Sequence, residues 1–209
     1  MSSSVRSGKG PALARPIEAP VRADRVPDFI AIDVETANND AGSICQIGFA
    51  TFADGALVDN WSWLINPRTW FSGHNIAIHG IRAADVADAL GWDDRYDEIA
   101  ALLAGRIVVS HTAFDVTATA RACARHDLPL LAAQWLDSAR VARRAFRQFA
   151  RRGWGLASLS AHLAIDFEHH DAGEDARAAG LVVMAAVEAS GRSVSDWLTD
   201  AHRPLREFA

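Results

Sequence analysis

The sequence contains no apolar run near the ~20 residues that a membrane-spanning helix requires. The longest candidate, around Leu181 to Val187, is too short and stops at Glu188. An apolar h-region at the N-terminus is also missing, so secretion is not expected and a cytoplasmic location is. Cysteine is scarce. Cys45 and Cys123 are the only two, and they form no metal-binding or redox spacing. They read as reduced, buried thiols of a reducing compartment. There is no internal repeat and no low-complexity tract beyond the first residues. The net charge of −5 is mild and does not by itself indicate nucleic acid.

Half of the 209 residues are hydrophobic, enough to bury a full core, and the length suits one domain with a tail. Residues 1–27, rich in Ser, Gly, Pro and Arg without apolar period, read as a flexible, weakly basic tail. A targeting arm, a DNA-contacting arm and a tail without function all fit that composition. Residues 28–201 read as the folded domain and 202–209 as a C-terminal tail. Residues 28–34 form a short apolar run of central-strand type. Residues 43–53 and 56–65 give two more strands, joined by the hairpin signal Asp54-Gly55. The segment after Asn66-Pro67 reads as a loop carrying Trp70, Phe71, His79 and Gly80. From residue 93 the pattern alternates: helix 93–104, strand 106–110, helix 113–126, strand 134–137, helix 139–151, a short helix 156–164, a long helix 171–189 and a last one near 194–201. Antiparallel strands followed by strands alternating with helices predict an α/β fold, a mixed five-stranded sheet with helices on both faces.

Four acids stand at element ends. Asp33 and Glu35 close the first strand, and period-two alternation puts both on one face. Side by side on an apolar strand they repel each other and lose hydration, and a divalent cation would relieve both problems. Asp115 falls in the first turn of a helix, a place the helix dipole also favours for any Asp. Asp175 lies on the apolar stripe of the long helix with Ala178, Ala179, Val182 and Ala186. An ionised carboxylate there is costly unless paired or bound to metal. Asp171, with Glu174 three residues on, has the form of an N-cap and its reciprocal partner. His170 immediately precedes this helix. A buried Asp held by backbone N–H groups or an Arg, with His170 as a loop residue, is the structural alternative to a site. Oxygen-only ligands of this kind suit Mg²⁺ or Mn²⁺ rather than zinc. Carboxylates gathering two such ions are the usual apparatus for displacement at a phosphodiester. His170 would then serve as general base.

These residues resemble the DEDDh 3′→5′ exonucleases (DnaQ-like), a family that includes the epsilon proofreading subunit of bacterial DNA polymerase III, ribonuclease T and oligoribonuclease. The motif Asp-x-Glu-Thr appears as Asp33-Val34-Glu35-Thr36, the second motif as His111 to Asp115, and His-x-Ala-x-x-Asp-Ala as His170 to Ala176. Family-like pieces stand between them: Gln46-Ile47-Gly48, Ile78-His79-Gly80-Ile81 and Asp137-Ser138. The resemblance spans about residues 28–190 and implies a ribonuclease H-like fold, two Mg²⁺ or Mn²⁺ ions and release of 5′-mononucleotides from 3′ ends. It matches Asp33, Glu35 and Asp175 to ligands of one ion. It gives Asp33 a share in the second, which Asp115 supports directly or through water. It matches His170 to the catalytic base and Thr36 to a contact with the terminal nucleotide. His111 stands where many members have Asn, Thr112 where many have Ala, and Asp171 where the epsilon subunits have Gly.

One charge is locally missing. Between Asp137 and Asp166 there is no acid, yet there are six arginines. On a helix over 139–151, Arg140, Arg144, Arg147 and Arg151 share a narrow arc beside Arg143, opposite Val141, Ala145, Phe146 and Phe149. A solvated face and a phosphate track through Arg144 and Arg147 are both open readings. Phe114, Trp70 and Phe71 are candidate base-stacking platforms or core residues, and His79 a candidate nucleotide-pocket residue. Trp61 and Trp63 alternate on the third strand as core residues. The expected partners are nucleic-acid 3′ ends, single-stranded DNA before RNA, and potentially a DNA polymerase.

Overall fold

A computed structural model describes residues 28–203. The expected tail at 1–27, and residues 204–209 of the C-terminal tail expected over 202–209, lie outside the described residues. The sheet has the order β3-β2-β1-β4-β5. β1 (Phe29–Thr36), β2 (Ile44–Ala53) and β3 (Ala56–Leu64) form the antiparallel half, while β4 (Ile107–Ser110) and β5 (Gln134–Asp137) join β1 in parallel. This is the expected mixed five-stranded α/β fold. The Asp54-Gly55 turn closes the β2–β3 hairpin with both residues left-handed, φ 53° and 77°, as a two-residue turn of this type demands.

β1 separates two cores. Phe29 and Ala31 face the helices α4 (Ser138–Ala145), α5 (Leu156–Leu163), α6 (Ala172–Ser190) and α7 (Val194–Asp200). Ile30, Ile32 and Val34 face α2 (Trp92–Leu103) and α3 (Phe114–Arg125). Alternation then assigns Asp33 and Glu35 to the α6 side. Both are partly buried, whereas the other positions of β1 are buried. Trp61 is buried as expected. Trp63 is only half-buried, with the Arg95 guanidinium 4.6 Å from its ring. Both cysteines are free and buried, and burial pushes the Cys45 thiol up to about 12. Among the described residues no helix is long and apolar enough to cross a membrane.

Two glycines seat α6 against the sheet. A Cβ on Gly48, the residue paired with Asp33 across β1 and β2, would lie 2.0 Å from the Ala172 carbonyl. A Cβ on Gly180 would meet the Phe52 ring at 2.2 Å. Gln46 adds a polar anchor: its Oε1 accepts from the Ala172 N–H at 3.2 Å, and its Nε2 donates to Ser62 Oγ at 3.1 Å.

Three local expectations are corrected. The segment after β3 contains a helix, α1 (Gly73–His79), capped by Ser72 and ended by left-handed Gly80. It buries none of its residues, so it carries no apolar period for the sequence to reveal. The arginine-rich helix expected over 139–151 ends at Ala145. Phe146 is extended, and residues 147–149 form a separate 3-10 turn. Burial of Phe149 with Leu156 and Leu159 turns the chain inward and competes with further helix. Glu174 is not the reciprocal partner of the Asp171 cap. Asp171 caps Gly173 and Glu174 as expected, but the Glu174 carboxylate binds Asn60 and Arg177.

Candidate active site

The four acids reach one place by three routes. Strand alternation supplies Asp33 and Glu35, the first turn of α3 supplies Asp115, and the first turn of α6 supplies Asp175. Carboxylate oxygens of Asp33, Glu35 and Asp175 lie within 4.8 Å of one another. Asp115 stands beside this group, and its Oδ1 accepts from the Val34 N–H at 3.0 Å. Asp115 and Asp175 are almost fully buried, at 2% and 3% exposure.

Such a cluster resists ionisation. Burial first, then the charges of Asp115, Asp175 and Glu35, hold the Asp33 carboxyl well above the usual carboxylate range. Burial and the charge of Asp175 raise Glu35 to about 8. Burial raises Asp115 to about 7, against hydrogen bonds from backbone N–H groups that pull it down. Among the described residues no Lys or Arg pairs with these four acids; the basic groups beside them are the two histidines at the rim. Buried oxygen donors crowded together are the donor set that a hard divalent cation fits.

His170 sits at the rim in a left-handed conformation, φ 71°. Its N–H donates to Asp175 Oδ2 at 2.8 Å, and its Nδ1 is 3.8 Å from Glu35 Oε1. Burial, then the charge of His169, lowers its pKa, outweighing the pull of Asp175 toward the charged form. The ring is therefore biased toward its neutral, proton-accepting state. His169 has no place among the sequence motifs. Its Nδ1 is 2.9 Å from Asp175 Oδ1, and its ring stacks on His170 at 3.9 Å. The doublet His169-His170 was the only signal that could have drawn attention to it.

The other candidates are placed as follows. Thr36 is buried, and its carbonyl accepts from Asn75 Nδ2 at 2.9 Å and from His79 Nε2 at 3.1 Å. His79 Nδ1 accepts from the Ile81 N–H at 3.0 Å, which fixes the tautomer with the proton on Nε2. His79 thus lines a cavity of about 380 Å³ with His169, His170 and Asp171, but both its nitrogens are committed to the chain. Asn75 was not singled out in the sequence. Phe114 and Trp70 are exposed at 47% and 63%, whereas Phe71 packs against a small core around Ala37 and Ile81. Arg144 does not stand on a ridge with Arg147. It is half-buried and donates to the Arg140 and Arg203 carbonyls, while Arg147 is exposed on the 3-10 turn. Asp137 organises the turn before α3: it caps Arg140 and accepts from the N–H of left-handed Thr112 at 3.2 Å. His111 Nδ1 pairs with Ser138 Oγ at 2.8 Å.

The mixed sheet thus brings four acids together where β1 ends, with a histidine at their rim. Comparison with known proteins finds the following similarities. The chain is 26% identical over 188 residues to a PolC-type DNA polymerase III of Streptococcus pneumoniae, a match covering 82% of this chain and 13% of the polymerase. It is 27% identical over 162 residues to the PolC-type polymerase of Streptococcus agalactiae, covering 75% of this chain and 11% of that one. The chain therefore spans only about an eighth of these relatives' length. Among solved structures, Exonuclease X in complex with 5′ overhanging duplex DNA superposes with a TM-score of 0.69 at 23% identity, covering 83% of this chain and 99% of that one. E. coli Exonuclease I with an oligonucleotide gives 0.68 at 14% identity, over 82% and 42% of the two chains. These structural likenesses establish the fold. No protein-family model matches the chain.

Proposed function

We propose that this protein is a metal-dependent 3′→5′ exonuclease that hydrolyses the terminal phosphodiester of single-stranded DNA and releases 5′-mononucleotides. The observation that carries this reading is the carboxylate group Asp33, Glu35 and Asp175, all within 4.8 Å, with Asp115 beside it and a neutral-biased histidine at its rim. Asp33, Glu35 and Asp175 would hold one Mg²⁺ or Mn²⁺, and Asp33 with Asp115 a second. Bound there, the two ions would activate water and stabilise the departing 3′-oxygen.

The chain's own residues supply the rest. His170 accepts the proton of the attacking water, and its partial exposure lets that proton pass to solvent. The Thr36 segment, held by Asn75 and His79, forms the wall against which the terminal nucleotide rests. Phe114 and Trp70 present exposed rings to bases, each stack being worth roughly 1–3 kcal/mol. Similarity to PolC-type polymerases supports DNA as substrate and association with a polymerase as the setting.

The test uses a 5′-labelled single strand and EDTA-treated protein. Addition of Mg²⁺ or Mn²⁺ is expected to produce a ladder that shortens from the 3′ end, and His170→Ala to abolish it while leaving the circular dichroism spectrum intact. An undigested strand would refute the reading. A matched RNA oligomer degraded faster than the DNA would move the substrate assignment to RNA.

A further inference from the structure

His169 makes two contacts, and each reaches a different member of the acidic pocket. Its Nδ1 is 2.9 Å from Asp175 Oδ1, while the His170 N–H donates to Oδ2 of the same carboxylate at 2.8 Å. An ionised carboxylate only accepts, so this bond places a proton on Nδ1 of His169. That nitrogen is then a donor and not a metal ligand. The second contact is the stack on His170, 17° from parallel with centroids 3.9 Å apart. Rings so nearly parallel do not direct their in-plane lone pairs at one ion, so the pair orients groups rather than chelating a metal.

Both targets need such a hold. The last torsion of an Asp side chain has a broad, weak preference, so a single bond leaves the carboxylate free to turn. Bonds on both oxygens set its plane. The carboxylate has about four acceptor positions in all, so two remain for a cation. His170 has a left-handed backbone, φ 71°, which a residue other than glycine keeps only where its surroundings over-determine it. Its side chain is 40% exposed, and the His169 ring covers one face of it. His169 is tied to the core in turn. The Phe167 ring lies 5.3 Å from it and packs with the cluster on the α6 side.

We propose that His169 is a positioning residue, which fixes the Asp175 carboxylate for a metal through its Nδ1–H and the His170 ring for proton transfer through the stack. The first role rests on the carboxylates binding a cation, and the second on the nuclease reading above. Neither requires His169 to touch the ion or the nucleic acid.

The experiment measures Mn²⁺ binding to the EDTA-treated full chain from the paramagnetic resonance signal of free Mn²⁺. His169→Ala and His169→Phe both remove the donor, and the second keeps a ring. Each is expected to bind Mn²⁺ between about tenfold and a hundredfold more weakly, the range for loss of a hydrogen bond to a metal-binding carboxylate. His169→Asn, whose side-chain N–H can stand where Nδ1–H stood, should recover most of the affinity. The His169 side chain is 45% exposed, so the variants should keep the wild-type circular dichroism spectrum. If His169→Ala unfolds, His169→Phe against His169→Asn decides the matter. A wild type that binds no Mn²⁺, equal affinity with and without the donor, or no recovery in His169→Asn overturns the hold on Asp175.

Digestion at saturating Mn²⁺ tests the hold on His170. The kcat should fall about tenfold in His169→Ala and His169→Asn and less in His169→Phe, with KM for the strand unchanged. An equal fall in all three, or a loss confined to KM, overturns the role of the stack. If the wild type binds Mn²⁺ but cleaves nothing, the nuclease reading fails, and the affinities still decide the hold on Asp175.

Discussion

The backbone N–H of Val34 donates to Asp115 Oδ1 at 3.0 Å, tying the acid of α3 to the peptide between Asp33 and Glu35. The strand that carries two acids thereby also holds the third. Position and charge are coupled: the bond stabilises ionised Asp115, and ionised Asp115 opposes ionisation of Asp33.

That opposition predicts a trade between stability and activity. Asp33→Asn removes one source of repulsion while keeping the shape of the side chain. The metal-free variant should melt several degrees higher than the wild type, and its nuclease rate should fall by on the order of 10³-fold or more. Differential scanning fluorimetry and a gel assay check both signs. A lower melting temperature would mean that the carboxylates are not in conflict.

The pH dependence of stability follows from the same groups. Glu35 at about 8 and Asp115 at about 7 titrate above their unfolded values, as does Asp33. From their unfolded values of about 4 up to about 8 these groups hold more protons in the folded state than in the unfolded one, so the stability they contribute falls as pH rises. His79, His111 and His170, whose pKa values burial lowers, act in the opposite sense below about pH 6.5, which leaves the decline clearest above it. Melting curves from pH 7 to pH 9 in EDTA should show this decline. A melting temperature that rises from pH 7 to pH 8 would contradict it.

Divalent ions should reverse the decline. At a hundredfold excess over the dissociation constant, an ion bound only to the folded state adds about 2.7 kcal/mol. The gain in melting temperature with Mg²⁺ or Mn²⁺ should be larger at pH 8 than at pH 6, because the ligands must first lose their protons. A gain independent of pH would argue against these carboxylates as the ligands.

Gly48 tests the seating of α6. The Cβ of Gly48→Ala would collide with the backbone of Ala172, which has no rotamer to yield. Overpacking of this kind costs about 1–3 kcal/mol. Because the helix start carries Asp175, the variant should also bind Mn²⁺ more weakly even where it folds. Wild-type stability together with wild-type Mn²⁺ affinity would show that the contact is dispensable.

The arginines separate by their surroundings. Arg147 and Arg151 are exposed, whereas Arg144 is half-buried and bonded to backbone carbonyls. If the exposed pair contacts phosphates, replacing both with Ala should lower the slope of log affinity against log salt by about 1.4 for a single strand. Arg144→Ala should instead lower stability and leave the slope nearly unchanged. The reverse pattern would place Arg144, not the turn, against the nucleic acid.

Much of this protein is legible in its sequence because the signals are local. Alternation along β1 assigns Asp33 and Glu35 to one face, and the 3.6-residue period of α6 puts Asp175 among Ala178, Ala179 and Val182. Asp54-Gly55 announces its hairpin. These follow from side-chain geometry within a single element, which the order of residues determines directly. What the tertiary structure alone decided depends on contacts between distant parts of the chain. The burial of Phe149 breaks the arginine helix. The bonds of Asn75 and His79 to Thr36 hold a helix that buries nothing. The close approach permitted by Gly48 carries Asp175 to Asp33, and the stacking of His169 on His170 brings two nitrogens to the carboxylates. No periodicity encodes such contacts, because each depends on how separate elements pack.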